Sequence, residues 1–324
     1  MWKYTAHNKN RQKNITMILS VSRRTDIPAF YSDWFFNRLQ AGFVDVRNPM
    51  NIHQISRIKI SPDVVDCIVF WTKNPKKMLD RLDELSGYNY YFQFTINPYD
   101  TQIEHYVPKK SEVINTFQAL SMKIGPERVI WRYDPILLTN RIDINYHIKY
   151  FHELIKRVSG YTNCCVISFV DLYKKTITNT KTIGISEPTE DEMIYMAESF
   201  VQIANTYNVK IVSCSEKINL EKQGIEHGHC IDPLLIEHIC NYNIKVAKDK
   251  NQRKECGCIE SVDIGAYNTC CHKCAYCYAN FNEGKVDTSN SRHIKTSSLL
   301  IGEIQNDDIV KERKVSLLRT DNLF

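Results

Sequence analysis

The segment Cys270-Cys271-His272-Lys273-Cys274-Ala275-Tyr276-Cys277 puts four thiols into eight positions. Cys270, Cys274 and Cys277 follow one another at intervals of four and three residues, so one tight loop can bring them to a single point. Thiolates favour soft metals, meaning zinc or an iron–sulfur cluster. Three ligands on a four-iron cluster leave one iron open for an exogenous group, much as a catalytic zinc keeps an open position. Counting from Cys271 gives C-x2-C-x2-C, the start of a bacterial ferredoxin pattern. That pattern needs another cysteine at position 281, which is Phe281. The ferredoxin frame therefore fails, and the spacing favours Cys270 over Cys271 as the first ligand.

A second group of thiols surrounds the first in sequence. Cys256 and Cys258 precede the loop, Cys214 ends an apolar run, and Cys230 lies in a loop with His227, Gly228 and His229. Cys214, Cys230, Cys256 and Cys258 are candidate ligands for a second [4Fe–4S] cluster or a zinc ion; the plainer account is buried or surface thiols. His227 and His229 either join such a site or are exposed loop residues. His272 is read as an outer-shell group rather than a ligand. Cys67, Cys164, Cys165 and Cys240 fall within expected strands or a helix and read as small core hydrophobes.

The chain has 324 residues, 12 cysteines, 43% hydrophobic and 24% charged residues, and a formal net charge of +5. That is an ordinary globular composition, long enough to bury a core without disulfide staples. No run of about 18 apolar residues is present, which excludes a membrane-spanning helix. The first 16 residues are polar and basic, and the apolar run behind them is too short for a secretion signal. A cytoplasmic protein with reduced thiols is expected, which turns the cysteines toward metal or catalysis. The mild positive charge allows an anionic substrate without demanding one. Phosphate-loop, dinucleotide, zinc-protease and serine-hydrolase motifs are absent.

The elements that must position these thiols alternate. Strands are expected at 17–22, 43–47, 67–72, 90–96, 128–133, 164–170, 209–214 and 258–264, each rich in Val, Ile, Phe and Tyr. Helical periodicity fills 32–41, 77–86, 111–124, 143–158, 189–207 and 233–247. Thr189 and Glu192 have capping-box spacing. Residues 49–66 show no clear pattern. Alternation predicts an α/β fold with a parallel sheet, and eight strands predict a (β/α)8 TIM-type barrel; an incomplete barrel or an open sheet of six or seven strands is the alternative. One barrel domain over 17–283 would follow an extension at 1–16 and precede a polar tail at 284–324, packed through 298–301 or partly disordered.

Four predicted strands end in Asx-Pro: Asn48-Pro49, Asn74-Pro75, Asn97-Pro98 and Asp134-Pro135. Proline cannot continue a central strand, so each pair marks a carboxyl end. Arg23, Arg24, Asp26, Arg47, Lys73, Asn97, Arg132, Asp134, Asp171 and Glu216 crowd these ends, where α/β barrels carry their sites. Lys73, Arg132, Asp134 and Glu216 are the candidate catalytic groups. Lys73 is a catalytic amine if its burial lowers its basicity, or else the partner of Asp134 or Glu216. Trp71 and Trp131 read as core residues, with stacking on a ligand ring as the alternative.

The C-x3-C-x2-C spacing with Tyr276 before the last cysteine resembles the cluster loop of the radical S-adenosylmethionine superfamily. The resemblance implies a [4Fe–4S] cluster on Cys270, Cys274 and Cys277, with S-adenosylmethionine on the open iron. It further implies reductive cleavage to a 5′-deoxyadenosyl radical, and an electron donor such as a flavodoxin or ferredoxin. Tyr276, Arg23, Arg24 and Asp26 would bind the cofactor. Asp26 or Glu216 would take its ammonium, and Arg23, Arg24 or Arg132 its carboxylate. In that superfamily the cluster loop follows the first strand, whereas here it follows the last. Moving one strand-loop unit from front to back of a closed barrel would preserve the site. The glycine-rich, acid-ending segment of the superfamily has no counterpart here. The chain also resembles a bacterial family of unknown function, numbered 1848 among such domains. The resemblance lies in Ser20-Val21-Ser22-Arg23-Arg24-Thr25-Asp26-Ile27-Pro28, Phe70-Trp71-Thr72-Lys73-Asn74-Pro75, Trp131-Arg132-Tyr133-Asp134-Pro135 and Asp263-Ile264-Gly265-Ala266-Tyr267. Arg-x-Asp-Pro is faintly similar to the spore photoproduct lyase branch, which keeps nucleic acid among the substrate classes.

Overall fold

The computed structural model describes residues 17–181 and 183–314. The expected N-terminal extension lies outside them. The strands are β1 (Met17–Val21), β2 (Phe43–Asn48), β3 (Asn51–Lys59), β4 (Val65–Thr72), β5 (Tyr90–Thr95), β6 (Val129–Ile136), β7 (Cys164–Phe169), β8 (Lys210–Ser213), β9 (Glu226–His227), β10 (Val262–Asp263) and β11 (Ile309–Glu312). The α-helices are α1 (Ile27–Phe30), α2 (Ser32–Ala41), α3 (Lys110–Ile124), α4 (Ile144–Val158), α5 (Lys174–Thr180), α6 (Glu190–Thr206), α7 (Pro233–Cys240) and α8 (Glu283–Asn290). The protein is α/β, and eight strands form one parallel sheet in the order β10-β1-β4-β5-β6-β7-β8-β9. Among the described residues no ladder joins β9 to β10.

Near-continuous apolar strands such as MILSV in β1 are buried on both faces. Alternation then sorts their side chains. Leu19, Val21, Phe70, Phe92, Trp131 and Ile167 face an outer core shared with α2, α3, α4 and α6. Trp131 stacks on Phe151 of α4 at 5.2 Å, and Phe151 on Phe200 of α6 at 4.3 Å, each pair worth about 0.5–1.5 kcal/mol beyond area burial. Asp143 caps α4, and the Thr189/Glu192 capping box starts α6 as its spacing predicts. Ile18, Cys67, Val69, Tyr91, Ile130 and Val166 point the other way. That inner face is covered by α7 and the segments carrying Cys230, Cys256 and Cys258.

Several expectations are corrected. Residues 43–48 do not enter the main sheet; β2 pairs antiparallel with β3, which fills the stretch that lacked a pattern. Asn48-Pro49 therefore serves a hairpin turn, and Arg47 leaves the polar ring to bond Asp308. The count of eight is restored by β9, expected as loop. The last expected strand shrinks to the two residues of β10, yet it lies beside β1. Residues 76–85 wind as a 3-10 helix. The helix predicted to reach 247 stops at Cys240, because Asn241 takes the left-handed conformation (φ 58°) that ends helices. The start of the polar tail is folded: α8 forms, Leu299 and Leu300 are buried, and β11 runs parallel to β3. Residues 315–324 lie outside the described residues.

Candidate metal centre

The cysteine loop leaves β10, whose register with β1 (Leu19↔Val262, Ser20↔Asp263) delivers it over the carboxyl end of β1. Asp263 fastens the junction. Its carboxylate accepts from Ser20 Oγ (2.9 Å), Ser22 Oγ (2.7 Å) and the backbone N–H of Arg23 (2.8 Å) and Gly265 (2.9 Å). The backbone approaches closely here: a Cβ on Gly265 would lie 2.0 Å from Ser22 Oγ, so only glycine fits. The loop then bridges the segment after β5. Ala275 N–H donates to Ile103 O (2.9 Å), and Tyr106 N–H to His272 O (3.1 Å).

This path turns Cys270, Cys274 and Cys277 into one cavity, whose opposite wall includes Arg23, Arg24 and Lys73. Cys271 is outside it; its Sγ accepts from Asn290 Nδ2 of α8 at 2.9 Å. Cys270 and Cys271 thus face different surroundings. Burial pushes the Cys274 thiol up to about 12 despite nearby Lys73, and drives Cys270 well above its ordinary value. A bound metal would displace those protons. The donor set fits a cluster. Three soft donors line one cavity, and a buried polar atom beside them, His272 Nδ1, lacks any protein partner.

Two buried carboxylates hold the loop. Asp26 Oδ1 caps α1 by accepting from Ala29 N–H (2.9 Å). Asp26 Oδ2 accepts from Lys73 N–H (2.7 Å) and meets His272 Nε2 at 2.9 Å. Both oxygens are thus engaged, and Asp26 acts as a joint between β1, β4 and the loop. His272 is thereby held from the Asp26 side of the loop. Glu104, 2% exposed, is the second joint and escaped sequence reading. It accepts from Lys73 Nζ (2.7 Å), Lys110 Nζ (2.5 Å) and Tyr276 Oη (2.7 Å). Burial opposes its charge, but Lys73 and Lys110 more than offset it and hold the carboxyl at about 2. Burial likewise opposes the Lys73 charge, and Glu104 with Cys274 reverses it, so the Lys73 amine stays cationic. Its partner is Glu104, not the Asp134 or Glu216 expected, because β4 ends toward the 100–107 segment. Tyr276 presents its ring to the cavity, with Lys73 Nζ 5.6 Å from the centroid.

The other polar strand ends divide into two groups. Arg23 and Arg24 line the cavity; Arg24 Nη1 donates to Gly265 O at 3.4 Å, and Arg23 Nη1 lies 3.6 Å from Asp249. Arg132 does not line it. Its guanidinium is buried, bonded to Asp134, to Gln93 Oε1 (3.2 Å) and to Cys230 Sγ (2.8 Å). Trp71 lies between the groups, its ring 5.4 Å from Arg23 and 5.3 Å from Arg132. Asp134 also accepts from Ser168 Oγ, and Asn97 clamps its backbone: Asp134 N–H donates to Asn97 Oδ1 (2.9 Å), and Asn97 Nδ2 to Asp134 O (2.7 Å). Burial would raise Asp134, but Arg132 keeps it ionised. Cys214, Cys230, Cys256 and Cys258 gather on this inner side, apart from the cavity. The two groups that the sequence places among one ring are thus two sites, since β4 to β8 turn alternate residues inward.

Glu216 accepts from Phe169 N–H at 2.9 Å, and burial raises its carboxyl to about 8. It is a neutral acid at pH 7. A raised folded-state value favours the protonated fold, so its contribution is complete below about 4.5 and is lost as pH rises through 8. Glu216→Gln should remove that loss. Between pH 5 and 8.5 the wild type should lose about 1–3 kcal/mol more than the variant, at about 1.4 kcal/mol per unit discounted for partial exposure. Thermal unfolding across that range checks it; parallel curves would refute the assignment.

No helix of the described residues is long and apolar enough to cross a membrane. Compared with the curated proteins, the chain matches none. Among solved structures it matches "a putative alpha-L-fucosidase from Bacteroides thetaiotaomicron VPI-5482", with 10% identity over 56% of this chain and 75% of that one, at a TM-score of 0.24. So low a score carries no argument. The profile of the "Domain of unknown function (DUF1848)" matches residues 18–279, from β1 through the cysteine loop. The chain belongs to the DUF1848 family.

Proposed function

We propose that the protein is an iron–sulfur enzyme of the radical S-adenosylmethionine type, with Cys270, Cys274 and Cys277 as cluster ligands. One observation carries the reading: these three thiols share a cavity with Arg23, Arg24 and Lys73, while Cys271 is turned away to Asn290. When bound and reduced by an external donor such as a flavodoxin or ferredoxin, the cluster would supply one electron to the sulfonium, breaking its bond to C5′ and giving methionine and a 5′-deoxyadenosyl radical. The chain's own residues would bind and shield. Arg23 and Arg24 supply charge-assisted donors for a carboxylate. Asp26, with both oxygens engaged, orients His272 and the loop rather than taking an ammonium. Trp71 and Tyr276 line the cavity and would limit water at a bound cofactor. The adjacency of β10 and β1 supports a permuted barrel, since a loop after the last strand then stands where a loop after the first would. The substrate class stays open and includes nucleic acid.

Anaerobic reconstitution with iron and sulfide, reduction and addition of S-adenosylmethionine should give four irons at this site and 5′-deoxyadenosine. Iron without 5′-deoxyadenosine, across several substrate classes, would favour an electron-transfer role. Failure to bind iron at the loop would end the reading.

A further inference from the structure

We propose that Cys214, Cys230, Cys256 and Cys258 bind one zinc ion as a tetrathiolate site that fastens the two ends of the parallel sheet. The proposal is independent of the cluster at the loop. Two thiols come from one end of the sheet: Cys214 directly follows β8, and Cys230 follows β9. The other two come from the segment that enters β10 at the opposite end. Where the ladder between β9 and β10 is missing, these segments meet instead. Ile259 N–H donates to Ile231 O at 3.4 Å, and Ile231 N–H to Cys258 Sγ at 3.4 Å. Gly257, between the two cysteines, passes so near His229 that a Cβ would lie 2.1 Å from its Nδ1.

The sulfurs form a line of contacts. Cys214 Sγ and Cys230 Sγ are 2.8 Å apart, Cys258 Sγ accepts from the N–H of Ile231 next to Cys230, and Cys230 and Cys256 are the strongest influences on the Cys258 thiol. Zinc–sulfur bonds of about 2.3 Å imply tetrahedral edges of about 3.8 Å, close to sulfur–sulfur contact. Ligands of a four-iron cluster stand farther apart, one on each corner. Among the described residues no three of these sulfurs fall within 4.8 Å of one another. Ligation therefore needs Cys214 and Cys256, at the ends of the line, to turn inward about χ1. The surroundings suit a dianionic zinc tetrathiolate. Arg132, 5% exposed, donates to Cys230 Sγ at 2.8 Å. Arg23 faces the group with a buried, unpartnered Nη2. Beyond its pairing with Asp134 and Gln93, Arg132 keeps a donor on Cys230 Sγ, and such donors to metal-bound sulfur are a usual outer shell.

The test uses the full chain, purified anaerobically, with metals counted before and after iron–sulfide reconstitution. One zinc per chain is expected in both preparations. Cobalt added to metal-free protein should give the intense sulfur-to-cobalt charge transfer and visible bands of a tetrahedral thiolate site. Cys258→Ser and Cys214→Ser should lose the zinc and keep iron at the loop; Cys274→Ala should do the reverse. Four further irons that vanish in Cys258→Ser would overturn the proposal. So would a Cys214–Cys230 disulfide in metal-free protein that takes up no cobalt after reduction. If the serine variants do not fold, the zinc count and cobalt spectrum of the wild type decide alone.

Discussion

Cys274→Ala should lose the loop's iron and all 5′-deoxyadenosine formation, while the chain stays folded. The thiol stands in the cavity wall, but the loop around it is held by other groups. Ala275 N–H and Tyr106 N–H tie its backbone to the 103–106 segment, and Asn280 Nδ2 donates to Cys270 O at 2.9 Å. None of these bonds uses the sulfur. Cys274 packs on the edge of the outer core, but the β-strands and four helices that build that core do not depend on its sulfur. Removing one sulfur should cost about 1 kcal/mol, the centre of the range for single changes. Cys271→Ala is the matched control. It loses a bond from Asn290 and should keep iron and turnover. Iron content, visible absorption and thermal unfolding of the pair settle the outcome. Retention of iron in Cys274→Ala with loss in Cys271→Ala would overturn the ligand assignment.

Glu104→Ala should be the most destabilising change at the site. It strips one carboxylate from Lys73, Lys110, Tyr276 and Asn97 together. Lys73 would remain almost enclosed, at 14% side-chain exposure, with its countercharge gone. Breaking a buried ion pair from one side costs about 3–5 kcal/mol, and Lys110, which is more exposed, adds less. The pH signature is distinct. Lys73 and Lys110 hold Glu104 at about 2 against the opposing effect of burial. A depressed carboxyl contributes stability that is present above its ordinary value near 4.5 and lost as pH falls through 2. The variant should therefore melt lower at pH 7 and show a shallower acid limb. Denaturant unfolding at pH 7 and at pH 3 measures both. The backbone bridge between Glu104 and Cys274 remains, but the loop loses the bond from Tyr276 Oη, so iron retention should fall as well. A variant as stable as wild type at pH 7 would show that Glu104 is not the joint described.

The spacing of Cys270, Cys274 and Cys277 set them apart from Cys271, and the fold lines one cavity with those three, because convergence within one loop is a local property. The failed ferredoxin frame at Phe281 pointed the same way. Some strand ends were legible for the same reason: Asn74-Pro75 and Asn97-Pro98 stop β4 and β5 by proline's own geometry, whereas Asp134-Pro135, also expected to end a strand, lies inside β6, where the register with β7 shifts. Glu104 carried no such mark. It lies nine residues past β5 in an irregular segment, and its worth comes from lysines 31 residues before it and 6 after it. Asp263 was visible only as part of a motif, not as the carboxylate that joins β10 to β1.

Local chemistry in the sequence determined the α/β class, the thiol loop and the core, since apolar runs and proline punctuation act within a few residues. Tertiary structure alone decided the rest. It removed β2 to a separate sheet, because a hairpin with β3 satisfied its backbone more directly than a parallel crossover. It split one apparent ring of charges into two sites, because pleat alternation sends Trp71, Arg132 and Cys214 inward while the loops carry Arg23, Arg24 and Lys73 over the top. It also brought Cys214 and Cys230 against Cys256 and Cys258. Sequence distance says nothing about which two ends of a curved sheet will meet, and only the closure of the inner face by α7 and its flanking segments makes them neighbours.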